Sequence, residues 1–226
     1  MPSKRKDNRR VDATYAVISS SLSSGRIKPG DFLRQITLAE ELNVSQATVR
    51  DALNQLVIEG LAERIPRKGV RVPYISPDDV RDIYEMRMVA EGLAWQVAAE
   101  RITAEELKQM QILLPGTATT ADPGSIEIAR QKNLEFHMIA IQASGRWILI
   151  RLLSQLLNLN NLRYLLATSS EEVRVRDGKI NIQEHEELIT ALHDRKADLS
   201  RELIEKHIHR SMSDRLALFG KQINPE

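Results

Sequence analysis

The sequence contains no cysteine. This absence excludes disulfide bonds, thiolate metal ligands and a cysteine nucleophile, and it fits the reducing cytoplasm, where we expect the protein to be located. No apolar run follows the basic N-terminus MPSKRKDNRR, so a secretory signal is not predicted. The most apolar stretch, residues 147–167, is interrupted by polar residues, among them Arg151, Gln155, Asn158 and Arg163. It therefore predicts a buried helix and not a membrane span.

Charge is balanced in the whole chain but not along it. The 226 residues carry a net charge of +1, yet residues 1–75 hold 13 Lys and Arg against 8 Asp and Glu. The remaining residues hold 19 against 23. The length suffices for two modest domains with cores of their own. We therefore predict a polyanion-binding domain at 1–75 and a different domain at 76–226.

Between residues 11 and 60 the apolar residues are spaced as in helices. A loop at 25–30 is followed by a short helix, for which Thr37 and Glu40 form a candidate capping box at its start. Asn43, which tolerates a left-handed backbone, marks its end. Ser45 can then cap the next helix. Two helices joined by so short a turn predict a helix-turn-helix.

Gln46 and Arg50 lie four residues apart, on one face at the N-terminal end of the second helix. Arginine can bind guanine with two hydrogen bonds and glutamine can bind adenine in the same way. Two short β-like runs, 61–65 and 70–72, flank the basic turn 66–69 and predict a winged hairpin suited to phosphates or the minor groove. The alternative is an ordinary small helical domain in which Arg50 is merely solvated. We predict that the domain binds DNA.

The stretch 26–72 contains a run of motif residues, namely Pro29-Gly30, Leu38-Ala39, Leu42, Val44-Ser45, Val49-Arg50, Ala52-Leu53, Leu56, Glu59-Gly60-Leu61 and Gly69. In these residues it resembles the winged helix-turn-helix of the GntR family of bacterial transcription regulators. The resemblance implies that Thr48 contacts a phosphate, that Arg50 contacts a base, and that Lys68 and Gly69 approach the minor groove.

Two positions depart from that family pattern. Ile36 and Gln46 stand where the family often has arginine. We expect Arg34 to supply the phosphate contact in place of the first, and Gln46 to read a different base. The candidate DNA-binding residues are Arg34, Ser45, Gln46, Thr48, Arg50, Lys68 and Gly69.

After residue 76 almost every segment predicts a helix. We place helices near residues 77–100, 103–114, 125–143, 146–168, 181–195 and 197–219, with a loop at 115–124. With few strand signals, this part predicts an all-α bundle. The fold class expected for the whole chain is therefore mainly α, with an N-terminal winged helix-turn-helix domain and a C-terminal helical bundle.

The five histidines divide by helix face. His137, His185 and His207 share the apolar faces of three predicted helices, whereas His193 and His209 lie on polar faces. Three inward-facing imidazoles can converge in a bundle core and bind a divalent metal ion. The alternative is three unrelated core histidines, each bonded to a backbone carbonyl.

Residues 76–219 contain a second set of motif residues, Arg87-x-x-x-Glu91, Phe136-His137, His185 with Ile189, and His207. In these residues they resemble the all-helical effector domain of the FadR subgroup of GntR regulators, the FCD type. The resemblance implies a metal site made of these three histidines and an acidic residue four positions before the first. This chain has Asn133 there, whose carbonyl oxygen is an uncharged ligand. We expect zinc, with nickel, cobalt or manganese as alternatives.

The same resemblance places Arg87 near an effector, where its guanidinium can clamp a carboxylate. An ion pair with Glu91, one helical turn on, is the competing interpretation. Arg163 is a second candidate of this kind.

The function we expect is that of a transcription repressor with a metal-dependent site for a small organic acid. As a homodimer it would read an inverted repeat in double-stranded DNA, without contact to a membrane. The alternatives are a regulator that responds to the metal itself and a hydrolytic enzyme with a three-histidine metal ion. The enzyme also needs an acid or base beside the metal, and the sequence designates none.

Overall fold

The computed structural model describes residues 3–23, 25–114, 123–162 and 171–223, and the chain divides into two compact units. The first unit comprises Met1–Ser76 with Asn158–Leu166, and the second comprises Pro77–Leu157 with Ala167–Glu226. Nine α helices and one three-stranded sheet occur in the described residues, which confirms the mainly α fold. None of the helices in these ranges combines the length and apolar character needed to cross a membrane. The domain limits 1–75 and 76–226 stay a prediction.

The first unit is a three-helix core with a small antiparallel sheet. Its elements are α1 (Ser3–Ser23), β1 (Phe32–Leu33), α2 (Gln35–Glu41), α3 (Gln46–Ile58), β2 (Glu63–Ile65) and β3 (Gly69–Arg71). The strand order is β1-β3-β2, so β3 lies between the other two. The buried apolar residues come from all three helices, from the sheet and from the segments beside it, and they include Ile18, Leu22, Ala39, Val49, Leu53, Leu56, Leu61, Ala62, Val70 and Val72.

The helix-turn-helix forms as predicted, except at its first helix. Helix α2 begins at Gln35, after Arg34 in an extended conformation, and no side chain caps it. The predicted capping box of Thr37 and Glu40 is therefore wrong, because Thr37 already lies inside the helix. The reason is tertiary: β1 pairs with β3 as far as Leu33, and the helix follows immediately, with its cap at Arg34, three residues before Thr37.

The turn and the second helix agree with the sequence. Asn43 has a φ angle of 49°, the left-handed conformation that asparagine tolerates better than most residues. Ser45 caps α3 by accepting a hydrogen bond from the backbone N–H of Thr48 at 3.1 Å. This cap satisfies one of the orphan amides at the N-terminal end of the helix that was predicted to read DNA.

The second unit is helical throughout the described residues. Its helices are α4 (Pro77–Arg101), α5 (Ala104–Leu113), α6 (Pro123–Ala143), α7 (Trp147–Leu162), α8 (Glu171–His193) and α9 (Ala197–Ile223), of which α7 belongs to this unit only as far as Leu157. Six helices were predicted and six are found. Residues 115–122 of the predicted loop and residues 163–168 of the fourth predicted helix lie outside the described residues.

One helix start was not predicted correctly, and the cap of another helix was missed. Helix α8 begins at Glu171, ten residues before the expected start at 181. The sequence of its first turns is rich in charged residues and has no apolar stripe. Because an apolar stripe indicates that one face of a helix is buried, a helix without such a face is not detected by apolar spacing. Helix α5 begins with a complete capping box, in which Thr103 and Glu106 bond each other's backbone N–H groups, and this signal was missed.

One face of α4 carries buried charged side chains. Arg87, Glu91 and Trp95 follow one another at intervals of four residues, so they lie on the same side of the helix. All three side chains are buried, with exposures of 3%, 0% and 0%. A charged pair inside a helical bundle is costly unless it is compensated, so this face requires charged or polar partners from other helices.

Candidate metal centre and nucleic-acid interface

The structure brings together three histidines from three helices. His137 on α6, His185 on α8 and His207 on α9 are all buried, and one ring nitrogen of each lies within 4.8 Å of those of the other two. Their ring centroids are 4.9 to 5.7 Å apart. His193 and His209 are exposed, as their polar faces predicted.

The first of these histidines is bonded to a buried carboxylate. His137 Nδ1 lies 2.8 Å from Oε2 of Glu91, whose side chain is fully buried. The other oxygen of Glu91 accepts a hydrogen bond of 2.6 Å from Nε of Arg87. Burial raises the pKa of Glu91, but the contacts with Arg87 and His137 outweigh it and hold the pKa at about 2. The carboxylate is therefore ionised at neutral pH.

The third histidine has a second arrangement of the same kind. His207 Nδ1 lies 2.7 Å from Oε2 of Glu184, and Arg210 donates to both oxygens of Glu184, from Nε at 2.7 Å and from Nη2 at 2.8 Å. Arg210 is itself held by Asp214 and Asn181. Burial raises the pKa of Glu184, and its bonds to His207 and Arg210 lower it to about 2.

His185 differs from the other two because, among the described residues, no carboxylate is bonded to it. Its ring is stacked on Phe136, with centroids 4.1 Å apart and an interplanar angle of 19°. Burial, and then the neighbouring His207 and His137, lower the pKa of His185 well below its usual value. The ring is therefore neutral at physiological pH, which is the form that binds metals.

Two ring nitrogens of this cluster have no partner in the described part of the chain. They are Nε2 of His137 and Nε2 of His185, both inaccessible to solvent. A buried polar atom without a hydrogen bond costs about 1–3 kcal/mol, so such atoms call for an explanation. A divalent metal ion satisfies both at once, and three imidazole nitrogens are a usual donor set for zinc. The residues present therefore fit a metal ion, and His137, His185 and His207 would hold it.

The carboxylates around the cluster are paired with arginines before any metal is counted. Glu91 is paired with Arg87, whereas Glu184 shares Arg210 with Asp214, so these pairs leave one carboxylate charge unbalanced. The sum of the charges around a bound divalent cation would therefore remain positive.

The remaining predicted residues of this site are placed as follows. Asn133 lies on α6, one turn before His137, and is partly buried. Arg87 forms the predicted alternative, the ion pair with Glu91, but this pair is buried and not a surface pair. Within the described residues no hydrogen bond engages the two Nη atoms of Arg87. Arg163 lies outside the described residues.

Three participants in the site were missed from the sequence. Glu91 was considered only as a partner of Arg87, and Glu184 and Arg210 were not considered at all. A signal existed for Arg210, which follows His207 by three residues and so lies on the same helix face. Nothing in the sequence indicates that Glu184 on α8 bonds a histidine on α9, because that contact depends on how the two helices pack.

The candidate nucleic-acid interface lies on the first unit. Gln46 and Arg50 are both exposed at the N-terminal end of α3, and the one ion pair of Arg50 within the described residues is a long contact of 3.5 Å with Asp51. The hydroxyls of Ser45 and Thr48 are bonded to each other at 2.8 Å. The two long side chains are therefore free to reach base edges, while the cap holds the helix start.

The wing has the predicted hairpin form. The residues of its tip, 66–69, are all exposed, and Gly69 has a φ angle of 108°, which few residues other than glycine adopt. No atom lies within 4 Å of the position that a Cβ of Gly69 would occupy, so the tip is open. Lys68 is exposed beside it, and Arg34 is exposed at the start of α2. The DNA roles of these residues stay predictions.

Comparison with known families agrees with both parts of the chain. Residues 10–72 match the model of bacterial regulatory proteins of the gntR family, and residues 82–210 match the FCD domain. The chain belongs to the GntR family and carries an FCD domain. This family consists of regulatory proteins, which speaks against the enzyme alternative.

Several relatives and solved structures are similar to this GntR-family chain. The HTH-type transcriptional regulator McbR of Escherichia coli is 30% identical over 139 residues, which are 62% of this chain and 63% of McbR. LutR of Bacillus subtilis is 26% identical over 194 residues, 76% of this chain and 85% of LutR. The structure titled E. coli McbR/YncC has a TM-score of 0.75 at 24% identity, covering 95% of this chain and 99% of that one. At that identity the structural likeness shows the fold alone.

The matched length differs between relatives. An HTH-type regulator of Agrobacterium vitis, 33% identical over 85 residues, is matched over 50% of its own length and 38% of this chain. The chain thus spans between half and two thirds of the length of that regulator and of McbR.

Proposed function

We propose that this chain is a transcription regulator that binds DNA through α3 and the wing of its first unit. The observation that carries the DNA-binding role is the capped N-terminal end of α3, from which the exposed Gln46 and Arg50 project four residues apart. This is the end of a recognition helix that enters the major groove in helix-turn-helix proteins. Family membership supports the same role.

The regulator acts as a homodimer and a repressor on an inverted repeat. A two-fold dimer presents two identical recognition helices, and such a pair matches a palindromic site whose halves are about one helical turn apart. Thr48, Lys68 and Gly69 contact the phosphates and the minor groove around each half-site, with Arg34 as a further phosphate contact and Ser45 holding the helix start.

The second unit senses a small organic acid with the help of a divalent metal ion, with zinc as the first expectation. The supporting observation is the pair of buried Nε2 atoms, on His137 and His185, without a partner in the described residues. When bound, the metal supplies a positive charge that attracts an anion. Arg87 contributes its two Nη atoms to the carboxylate, because its Nε is already fixed on Glu91.

The effector weakens operator binding only if it binds one arrangement of the dimer better than the other. Because the three histidines lie on α6, α8 and α9, a ligand at this site contacts three helices together. Chelation of the metal or His185→Ala should therefore abolish the response and leave basal DNA binding largely intact.

Selection of bound sequences from a random DNA pool tests the DNA-binding role. We expect the native protein to enrich an inverted repeat, and an asymmetric site or no enrichment would contradict the proposal. Mass spectrometry of the protein under native conditions, as purified, then reports metal and small acid together. Titration of the enriched site with protein in the presence of metal alone decides the alternative: DNA release by metal without an organic acid favours a metal-responsive regulator.

A further inference from the structure

Two histidines of the cluster are supported in the same way by different helices. On one side, Arg87 bonds Glu91 and Glu91 bonds Nδ1 of His137. On the other side, Arg210 bonds Glu184 and Glu184 bonds Nδ1 of His207. The repetition of arginine, glutamate and Nδ1 on two faces of one cluster is a feature that the metal ligands alone do not explain.

We propose that Glu91 and Glu184 are positioning residues of the metal centre, which keep His137 and His207 with a hydrogen on Nδ1 and a lone pair on Nε2. This inference rests on the proposed metal site. The two glutamates could not be assigned this role from the spacing of the three histidines in the sequence. The three ligands then divide into two that are held by carboxylates and one, His185, that is held by stacking on Phe136.

The argument follows from the hydrogen-bonding capacity of each group. An ionised carboxylate can only accept hydrogen bonds, so the ring nitrogen that faces it must donate. Both contacts are made by Nδ1, at 2.8 Å for His137 and 2.7 Å for His207. A neutral imidazole with its hydrogen on Nδ1 has its lone pair on Nε2, which is the atom left to bind a metal. The carboxylate thus selects the tautomer and fixes the direction of the ring.

The arginines make this arrangement stable in a buried setting. Glu91 is fully buried, so without Arg87 its charge would be uncompensated. Glu184 has 20% of its side chain exposed and is bonded to Arg210 at both oxygens. Because Glu184 is partly exposed, its substitution is the safer test, whereas replacing Glu91 leaves a buried arginine without a partner and can unfold the domain.

Zinc affinity, measured on the full chain by competition with a chromophoric chelator, is the first test. We expect Glu184→Ala and Glu184→Gln to weaken zinc binding about 10- to 100-fold, the usual effect of removing a carboxylate behind a ligating histidine. Glu184→Asp should recover part of the affinity, because it restores the charge and the acceptor. Glu186→Gln, an exposed glutamate on the same helix, is the matched control and should bind zinc as the native protein does.

The tautomer itself can be observed without metal, by long-range proton–nitrogen NMR of histidine-labelled protein. In the native chain the signal assigned to His207 should show the hydrogen on Nδ1, and in Glu184→Ala the two tautomers should mix. A native His207 with its hydrogen on Nε2, or Glu184→Ala with native zinc affinity, would overturn the positioning role. The His207→Ala variant distinguishes a failure of the proposed metal site from a failure of the positioning role. Unchanged zinc affinity in His207→Ala contradicts the metal site. Zinc binding that is lost in His207→Ala but retained in Glu184→Ala contradicts only the positioning role.

Discussion

Nδ1 of His137 on α6 lies 2.8 Å from Oε2 of Glu91 on α4, and both side chains are buried. The two residues are 46 positions apart in the chain. This contact connects the ion pair on α4 with the histidine cluster and leaves Nε2 of His137 without a hydrogen-bond partner among the described residues. The metal site and the ion pair of Arg87 with Glu91 are thus parts of one arrangement.

Substitutions of buried and of exposed histidines should differ in their effect on the amount of bound metal. His137→Ala, His185→Ala and His207→Ala should each lower the bound metal, because each removes one of three converging nitrogens. His193→Ala and His209→Ala should leave it unchanged, since both side chains are exposed. Elemental analysis of the five purified variants decides the matter. Equal losses in His207→Ala and His209→Ala would show that the cluster is not the metal site.

A negative charge at position 133 should strengthen the binding of a metal cation and weaken the binding of an anionic effector. Asn133→Asp should tighten zinc binding, because it adds a charged oxygen ligand one turn before His137, and should weaken an anionic effector through charge repulsion. Zinc affinity by chelator competition measures the first effect. Gln142→Glu, which adds the same charge at an exposed position of α6, is the control. If both variants change zinc affinity equally, Asn133 is not a ligand position.

Arg50 should carry sequence preference more than general affinity for DNA. Arg50→Ala should cost about 1–3 kcal/mol on the selected operator and much less on random DNA, because a bidentate contact to a base is lost. Fluorescence anisotropy with both DNAs measures the difference. Lys108→Ala removes a positive charge from an exposed position of α5 and should affect neither. Equal losses on both DNAs would assign Arg50 to a phosphate.

Metal-free protein should lose stability on mild acidification. Burial lowers the pKa of His207 to about 4, despite its hydrogen bond to Glu184, and lowers the pKa of His185 well below 6.5. Below about pH 6.5 the unfolded chain therefore binds more protons than the folded one. The stability from these groups is complete above about pH 6.5 and falls as the pH is lowered. For His207 the loss continues to about pH 4, by about 1.4 kcal/mol per pH unit. Glu91 and Glu184 act only at lower pH, because their pKa values fall from 4.5 to about 2.

Urea unfolding between about pH 7 and pH 5, in the presence of a chelator, measures this dependence. The exposed His209→Gln variant should follow the native curve, and His207→Gln should show a shallower one. A stability that does not change over this range would mean that the buried histidines are accommodated in their charged form.

The cap of α3 should contribute to the stability of the first unit. Ser45→Ala removes the acceptor for the backbone N–H of Thr48 and should destabilise the fold by about 1 kcal/mol. Ser213→Ala, at an exposed position inside α9, should change the free energy of unfolding by less than about 0.5 kcal/mol. Thermal unfolding followed by circular dichroism compares the two. No difference between the variants would contradict the cap.

The sequence by itself determined which segments are helices, two of the three strands, and which helix faces are buried, but it did not indicate β1. Apolar spacing of three and four residues predicted the six helices of the second unit, and the same spacing placed His137, His185 and His207 inside and His193 and His209 outside, because burial follows the helical period. Local interactions were sufficient to predict the left-handed conformation of Asn43 and the helix cap at Ser45, because both depend on neighbours within a few residues.

Only the tertiary structure decided which buried groups meet. Pairing of β1 with β3 moved the start of α2 away from Thr37, and the packing of α8 against α9 placed Glu184 on His207. Neither contact has a signature in sequence spacing, because each joins residues that are distant in the chain. The sequence therefore indicated three inward-facing histidines, and the packing of the bundle determined that two of them are bonded to glutamates that are in turn paired with Arg87 and Arg210.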